Sequence, residues 1–60
     1  MVVVENRAAQ LITIGVAVDG KVSAVNLAPH ASHGPVPFAS LTAYTRRLAE
    51  LGRVFFRTQN

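Results

Sequence analysis

Two strand-like runs, 9–18 and 21–27, stand on either side of Asp19-Gly20, and large apolar residues recur at every second position from Ile12 to Val18. A two-residue turn with positive φ at both central positions suits Asp-Gly and matches the twist of the flanking strands. We therefore predict a β-hairpin over residues 9–27. Its register pairs Val18 with Lys21, Val16 with Ser23, Ile14 with Val25 and Ile12 with Leu27, and it gathers on one face Ile12, Ile14, Val16, Val18, Val25 and Leu27.

The opposite face of this hairpin carries small and mixed side chains, including Gly15, Val22 and Ala24. Such a face can lie against water or against another subunit. Gly15 falls opposite Ala24 in the predicted register, and glycine in a strand often marks a close approach by another part of the chain. We expect a shallow site there that admits another backbone or an aromatic ring.

Helical spacing follows over residues 38–51, where Phe38, Leu41, Tyr44, Leu48 and Leu51 recur every three or four positions. This pattern predicts an amphipathic helix that packs its stripe on the hairpin. Ser40 is a candidate N-cap, and Pro37 is an alternative first helical residue. Gly52 suits the left-handed residue that ends a helix.

The remaining segments complete the predicted fold. Residues 28–37 contain three prolines and a glycine and are predicted to be a loop. The β-branched and aromatic residues of 53–58 predict a strand, and residues 1–8 are expected to be either disordered or a short edge strand. The sequence thus predicts one α+β domain over residues 1–60, in the order ββαβ, with an antiparallel hairpin and a C-terminal strand packed on one helix.

Size and composition favour self-association. A 60-residue chain buries only about 60% of the surface that its unfolded form exposes, yet half of these residues are hydrophobic. The chain has no cysteine, so disulfides and thiolate zinc sites cannot compensate for a thin core. We expect a homo-oligomer with Phe55, Val22 and Ala24 in its interface, and Phe55→Asp is then expected to dissociate it.

The C-terminal part of the chain is basic and supports an alternative function. Arg46, Arg47, Arg53 and Arg57 lie within fifteen residues of one another, and Phe55 is expected on the same strand face as the last two. Arginines that contact phosphates beside an aromatic ring that stacks on a base are typical of single-stranded nucleic-acid binding. The other interpretation is that Arg46 and Arg47 solvate the helix, while Arg53 and Arg57 protect an edge strand against aggregation.

Candidate chemistry is sparse. The three carboxylates are assigned to the turn (Asp19), to the solvated helix face (Glu50) and to the N-terminal segment (Glu5), which leaves no pair for acid-base catalysis. His30 and His33 have no carboxylate or cysteine near them in the sequence to complete a metal site. We expect no enzymatic activity, no metal and no cofactor.

The N-terminal segment lacks the basic and apolar regions of a signal peptide. The longest apolar stretch is far shorter than the roughly 20 residues that a spanning helix needs. The sequence therefore predicts a cytoplasmic protein without a membrane partner.

The helix end Leu48-x-x-x-Gly52-x-Val54, which follows a hairpin and a Pro/Gly loop, resembles a pattern in small accessory proteins encoded in phage and prophage structural gene clusters. This resemblance covers about a fifth of the chain. It implies a non-catalytic role in a particle or in its assembly, and it assigns no functional residue.

Overall fold

The computed structural model describes residues 1–59, which form five strands, a short 3-10 turn and one α-helix. The elements are β1 (Val2–Asn6), β2 (Ile12–Val18), β3 (Lys21–Leu27), β4 (Ser32–Val36), the 3-10 turn (Phe38–Ser40), α1 (Ala43–Glu50) and β5 (Val54–Thr58). The α+β class is as predicted. The predicted ββαβ order is only partly matched, because the structure adds β4 within the predicted loop, places β1 at the centre of a sheet, and forms two sheets from five strands.

The hairpin of β2 and β3 has the register that the Asp19-Gly20 turn predicts, with seven consecutive antiparallel pairs from Val18↔Lys21 to Ile12↔Leu27. Asp19 and Gly20 adopt φ values of 51° and 79°, the left-handed backbone that a primed two-residue turn requires. Because Val18 and Lys21 flank the turn, the backbone bonds between β2 and β3 fall at every second pair.

The N-terminal segment is neither disordered nor an edge strand. β1 is the central strand of an antiparallel sheet in the order β4-β1-β5. Val2, Val3 and Val4 are all buried, and a continuous apolar run of this kind suits a strand covered on both faces.

Part of the predicted loop at 28–37 is a strand, because β4 pairs with β1 over Ser32–Val36. Pro35 lies in it without disrupting the sheet, since a residue that lacks an amide hydrogen is tolerated on an edge strand. The β1–β4 register shifts between Val2 and Val4, and this irregularity accommodates the Gly34-Pro35 segment.

The helix begins later than predicted. Thr42, not Ser40, is the N-cap, and its Oγ1 accepts from the Thr45 amide at 3.3 Å. Residues 38–41 precede the helix, so Phe38 and Leu41 do not continue its stripe. At the other end Gly52 has φ 78°, and Arg53 N–H donates to Leu48 C=O at 3.0 Å, which ends the helix in a Schellman motif.

One hydrophobic core joins the two sheets and the helix. Its buried residues are Val2, Val4, Ile12, Ile14, Val16, Leu27, Leu41, Leu48 and Val54. Of the predicted helical stripe, Tyr44 and Leu51 remain exposed and Phe38 is nearly half exposed. Each of the two sheets contributes buried residues to this core.

Candidate interaction surfaces

The outer face of the hairpin forms an open apolar groove of about 550 Å³ beside the start of α1. Val22 is 69% exposed and Tyr44 is 62% exposed. Ala24, two residues after Val22 on β3, is also exposed. The groove therefore brings together two of the predicted interface residues, Val22 and Ala24, and adds Tyr44, which the helical spacing had placed in the core.

Gly15 of β2 and Thr42 at the helix start both line the groove, and they approach each other closely. A Cβ atom on Gly15 would lie 2.9 Å from Thr42 Oγ1, so a side chain there would displace the N-cap. The Gly15 N–H donates to Thr45 Oγ1, and this hydroxyl donates to the Gly15 carbonyl, both at 2.9 Å. The close approach expected at Gly15 is made by these two threonines.

Phe55 lies on a separate surface, the outer face of the β4-β1-β5 sheet. Its side chain is 48% exposed, and the Arg7 guanidinium stacks 4.8 Å from the ring centroid. Glu5 forms ion pairs with two arginines: its Oε2 lies 3.1 Å from Arg7 Nε, and its Oε1 lies 3.6 Å from Arg57 Nη1. The structure does not bring Phe55 together with Val22 and Ala24, and Arg7 already covers part of its ring.

The four C-terminal arginines lie on α1, on β5 and in the segment between them, and two of them contact carboxylates. Arg47 bonds Glu50 at 2.9 Å, and Arg57 contacts Glu5. Arg46 lies on the helix with its guanidinium 5.8 Å from the Phe38 ring, and Arg53 stands between the helix end and β5. Ion pairs to carboxylates reduce the charge that two of these arginines offer to phosphates.

The histidines are close in sequence but differ in setting. His30 is exposed in the turn before β4, with φ 67°, and its amide donates to the Asn6 carbonyl at 3.1 Å. His33 is half-buried on β4 opposite Val4. Over residues 1–59, no three His, Cys, Asp or Glu side chains converge to hold a metal ion.

Sequence reasoning missed the role of Asn6. Its side chain is fully buried, with Nδ2 donating to the carbonyls of Gln10, Leu27 and Ala28 at 2.9–3.2 Å and Oδ1 accepting from the Ala8 amide at 2.7 Å. This amide joins the end of β1 to the end of β3. Its burial could not be predicted from the local sequence, because two of its three acceptors, the Leu27 and Ala28 carbonyls, belong to a distant segment.

Over residues 1–59, no helix has the length and apolar character needed to cross a membrane. No protein-family model, curated protein or solved structure matches the chain.

Proposed function

We propose that this chain is a non-catalytic interaction subunit that works as a homo-oligomer, with β3, the hairpin strand that carries Val22 and Ala24, in its subunit contact. The observation that carries the proposal is the apolar groove bordered by Val22 and Tyr44, two large side chains that are more than 60% exposed. Grooves of this kind on small proteins commonly mark interaction sites.

The amount of exposed apolar surface supports the same conclusion. Eight large hydrophobic side chains are exposed: Met1, Leu11, Val18, Val22, Phe38, Tyr44, Leu51 and Phe55. A domain of this size has an unfolding free energy of only about 3–9 kcal/mol. Burial of part of this surface against another copy adds stability that the core of a single chain does not supply.

The carboxylates support a non-catalytic role. Glu5 and Glu50 form ion pairs with arginines, and Asp19 occupies a turn position with positive φ. Each therefore has a structural explanation. The resemblance to phage accessory proteins is consistent with a role in a particle or its assembly, and we retain that role as part of the proposal.

Among the predicted interface residues we favour Val22 and Ala24 over Phe55, because Arg7 stacks on the Phe55 ring. We do not favour nucleic-acid binding, since Arg47 and Arg57 contact carboxylates and Arg46 lies on the helix, apart from Arg57 on β5.

Light scattering after size exclusion tests the proposal through molar mass. We expect a mass above the 6.4 kDa of one chain at high micromolar concentration, falling towards 6.4 kDa on dilution. Val22→Lys places a charge in the contact and is expected to weaken association at least about tenfold. Leu51→Lys is the matched control, because Leu51 is also exposed but lies at the helix end, and it is expected to leave the mass unchanged.

Two results would contradict the proposal. A wild-type mass of one chain at all concentrations up to millimolar would exclude self-association. Equal weakening by Val22→Lys and Leu51→Lys would show that the hairpin face has no special part in it.

A further inference from the structure

The outer edges of β-sheets need protection, because unpaired backbone groups on an edge strand can pair with another chain. The two sheets have four such edges, on β4, β5, β2 and β3. β4 is interrupted by Pro35 and by an irregular register. β5 carries Arg57 and follows Arg53, and charged side chains of this kind oppose edge-to-edge pairing.

The β2 edge is covered by the segment that leads into the helix. Leu41 forms a bridge with Val16, and the outward N–H and C=O of Gly15 bond the Thr45 hydroxyl, with the Thr42 amide donating to the same carbonyl at 3.2 Å. Three of the four edges are thus interrupted, charged or covered.

The β3 edge has none of these protections. β3 is seven residues long, contains no proline, pairs with β2 without a bulge and carries one charge, Lys21 at its first position. Given the turn-defined register, the N–H and C=O groups of Val22, Ala24 and Asn26 point away from β2. Within residues 1–59 no strand pairs with this side of β3.

We propose that two copies of the chain pair along β3, antiparallel, about a two-fold axis that passes between the two Ala24 residues. This inference rests on the proposed self-association and names its geometry. The register pairs Val22 with Asn26 of the other copy and Ala24 with its own counterpart. This register satisfies all the outward groups of β3 through six hydrogen bonds. With the axis at Ser23, Asn26 would lie opposite the turn of the other copy. With the axis at Val25, Val22 would lie opposite the loop that follows β3.

A second copy fits this edge better than repeated addition of strands does. Over residues 1–59 each copy offers one unprotected edge, and antiparallel pairing uses the edges of both copies, so assembly stops at a closed dimer. The two Lys21 side chains would be six residues apart in register, about 20 Å. This separation exceeds the Debye length of about 8 Å at physiological salt, so the only charge on β3 does not oppose the pairing.

The pairing also determines how the outer faces of the two hairpins are placed in the dimer. A two-fold axis perpendicular to the sheet places both hairpin outer faces on the same side of one four-stranded sheet. The two Ala24 residues then meet at the axis, each Val22 lies beside Asn26 of the other copy, and a Tyr44 lies beyond β2 at each side. Phe55 lies on another sheet and takes no part in this contact.

Cysteine scanning tests the register, because the natural chain contains no cysteine. Single variants at positions 22–26 are oxidised under conditions where the wild type is dimeric. Ala24→Cys is expected to give the most disulfide-linked dimer, since paired residues have Cα atoms about 5.5 Å apart, within the range for a disulfide. In Val22→Cys and Asn26→Cys the two cysteines lie about 14 Å apart and should link little. Phe55→Cys is the exposed control on the other surface.

The outcomes separate the inference from the proposed function. A cross-linking maximum at Ser23 or Val25, or an Ala24→Cys yield no higher than that of Phe55→Cys in a dimeric protein, would overturn the β3 geometry and leave self-association standing. A monomeric wild type would overturn both.

Discussion

Asn6→Asp is expected to remove a large part of the stability of the fold at neutral pH. Asn6 is fully buried, and its Nδ2 donates to three backbone carbonyls. A carboxylate of nearly the same size removes both donor hydrogens and places a negative charge against those oxygens. The expected cost is at least about 4 kcal/mol, comparable to the whole stability of a domain of this size, about 3–9 kcal/mol.

Urea unfolding followed by circular dichroism, at one low protein concentration, measures this loss. Asn26→Asp is the matched control, because Asn26 is exposed and its Oδ1 accepts from Thr13 Oγ1 at 2.7 Å, a role that a carboxylate oxygen also fills. Its midpoint should stay close to that of the wild type. If Asn6→Asp unfolds at the wild-type midpoint, Asn6 does not join β1 to β3 as described.

Thr45→Val is expected to destabilise the fold by about 2–3 kcal/mol, the cost of leaving buried polar groups unsatisfied. Valine has nearly the shape of threonine, so packing is preserved. The variant loses the hydroxyl that accepts from Gly15 N–H and donates to Gly15 C=O. The carbonyl keeps its bond from the Thr42 amide, but the Gly15 N–H loses its partner beside the helix start.

Thermal and urea unfolding of Thr45→Val are compared with those of Thr58→Val, which makes the same change at an exposed position on β5. We expect a lower melting temperature for Thr45→Val, by at least roughly 8 °C, and a small change for Thr58→Val. Equal stability of the two variants would mean that the hydroxyl of Thr45 does not hold the helix start against β2.

The elements with local sequence signals were predictable, and those that depend on distant partners were not. The hairpin register followed from Asp19-Gly20 and the alternation around it, since turn geometry and burial pattern specify the same pairs. The central position of β1 was not predicted, because the burial of Asn6 requires carbonyls of Leu27 and Ala28 that only the tertiary structure brings near.

β4 and the helix start were mispredicted for related reasons. Proline disfavours a central strand, but β4 lies at a sheet edge, where Pro35 needs no amide partner. The spacing of Phe38 and Leu41 imitates a helical stripe, yet Leu41 is held in extended backbone by its bridge to Val16. Both errors came from a local pattern that tertiary pairing overrides.

The candidate surface was partly predictable. Val22 and Ala24 followed from the hairpin register, which places them on the outer face. Which hairpin edge stays open could not be predicted, because that depends on Thr42 and Thr45 reaching Gly15 across about thirty residues of chain. Phe55 was expected on the same strand face as Arg53 and Arg57, whereas the Arg7 contact that covers its ring arises from the pairing of β1 with β5.

Residue-specific amide hydrogen exchange, measured by NMR at increasing protein concentration, tests the β3 pairing most directly. In a single chain the amides of Ser23 and Val25 bond to β2, whereas those of Val22, Ala24 and Asn26 face outward. We predict that the outward amides exchange rapidly in dilute solution and become protected as the dimer forms. Rapid exchange of these three amides in a fully associated sample would contradict the account.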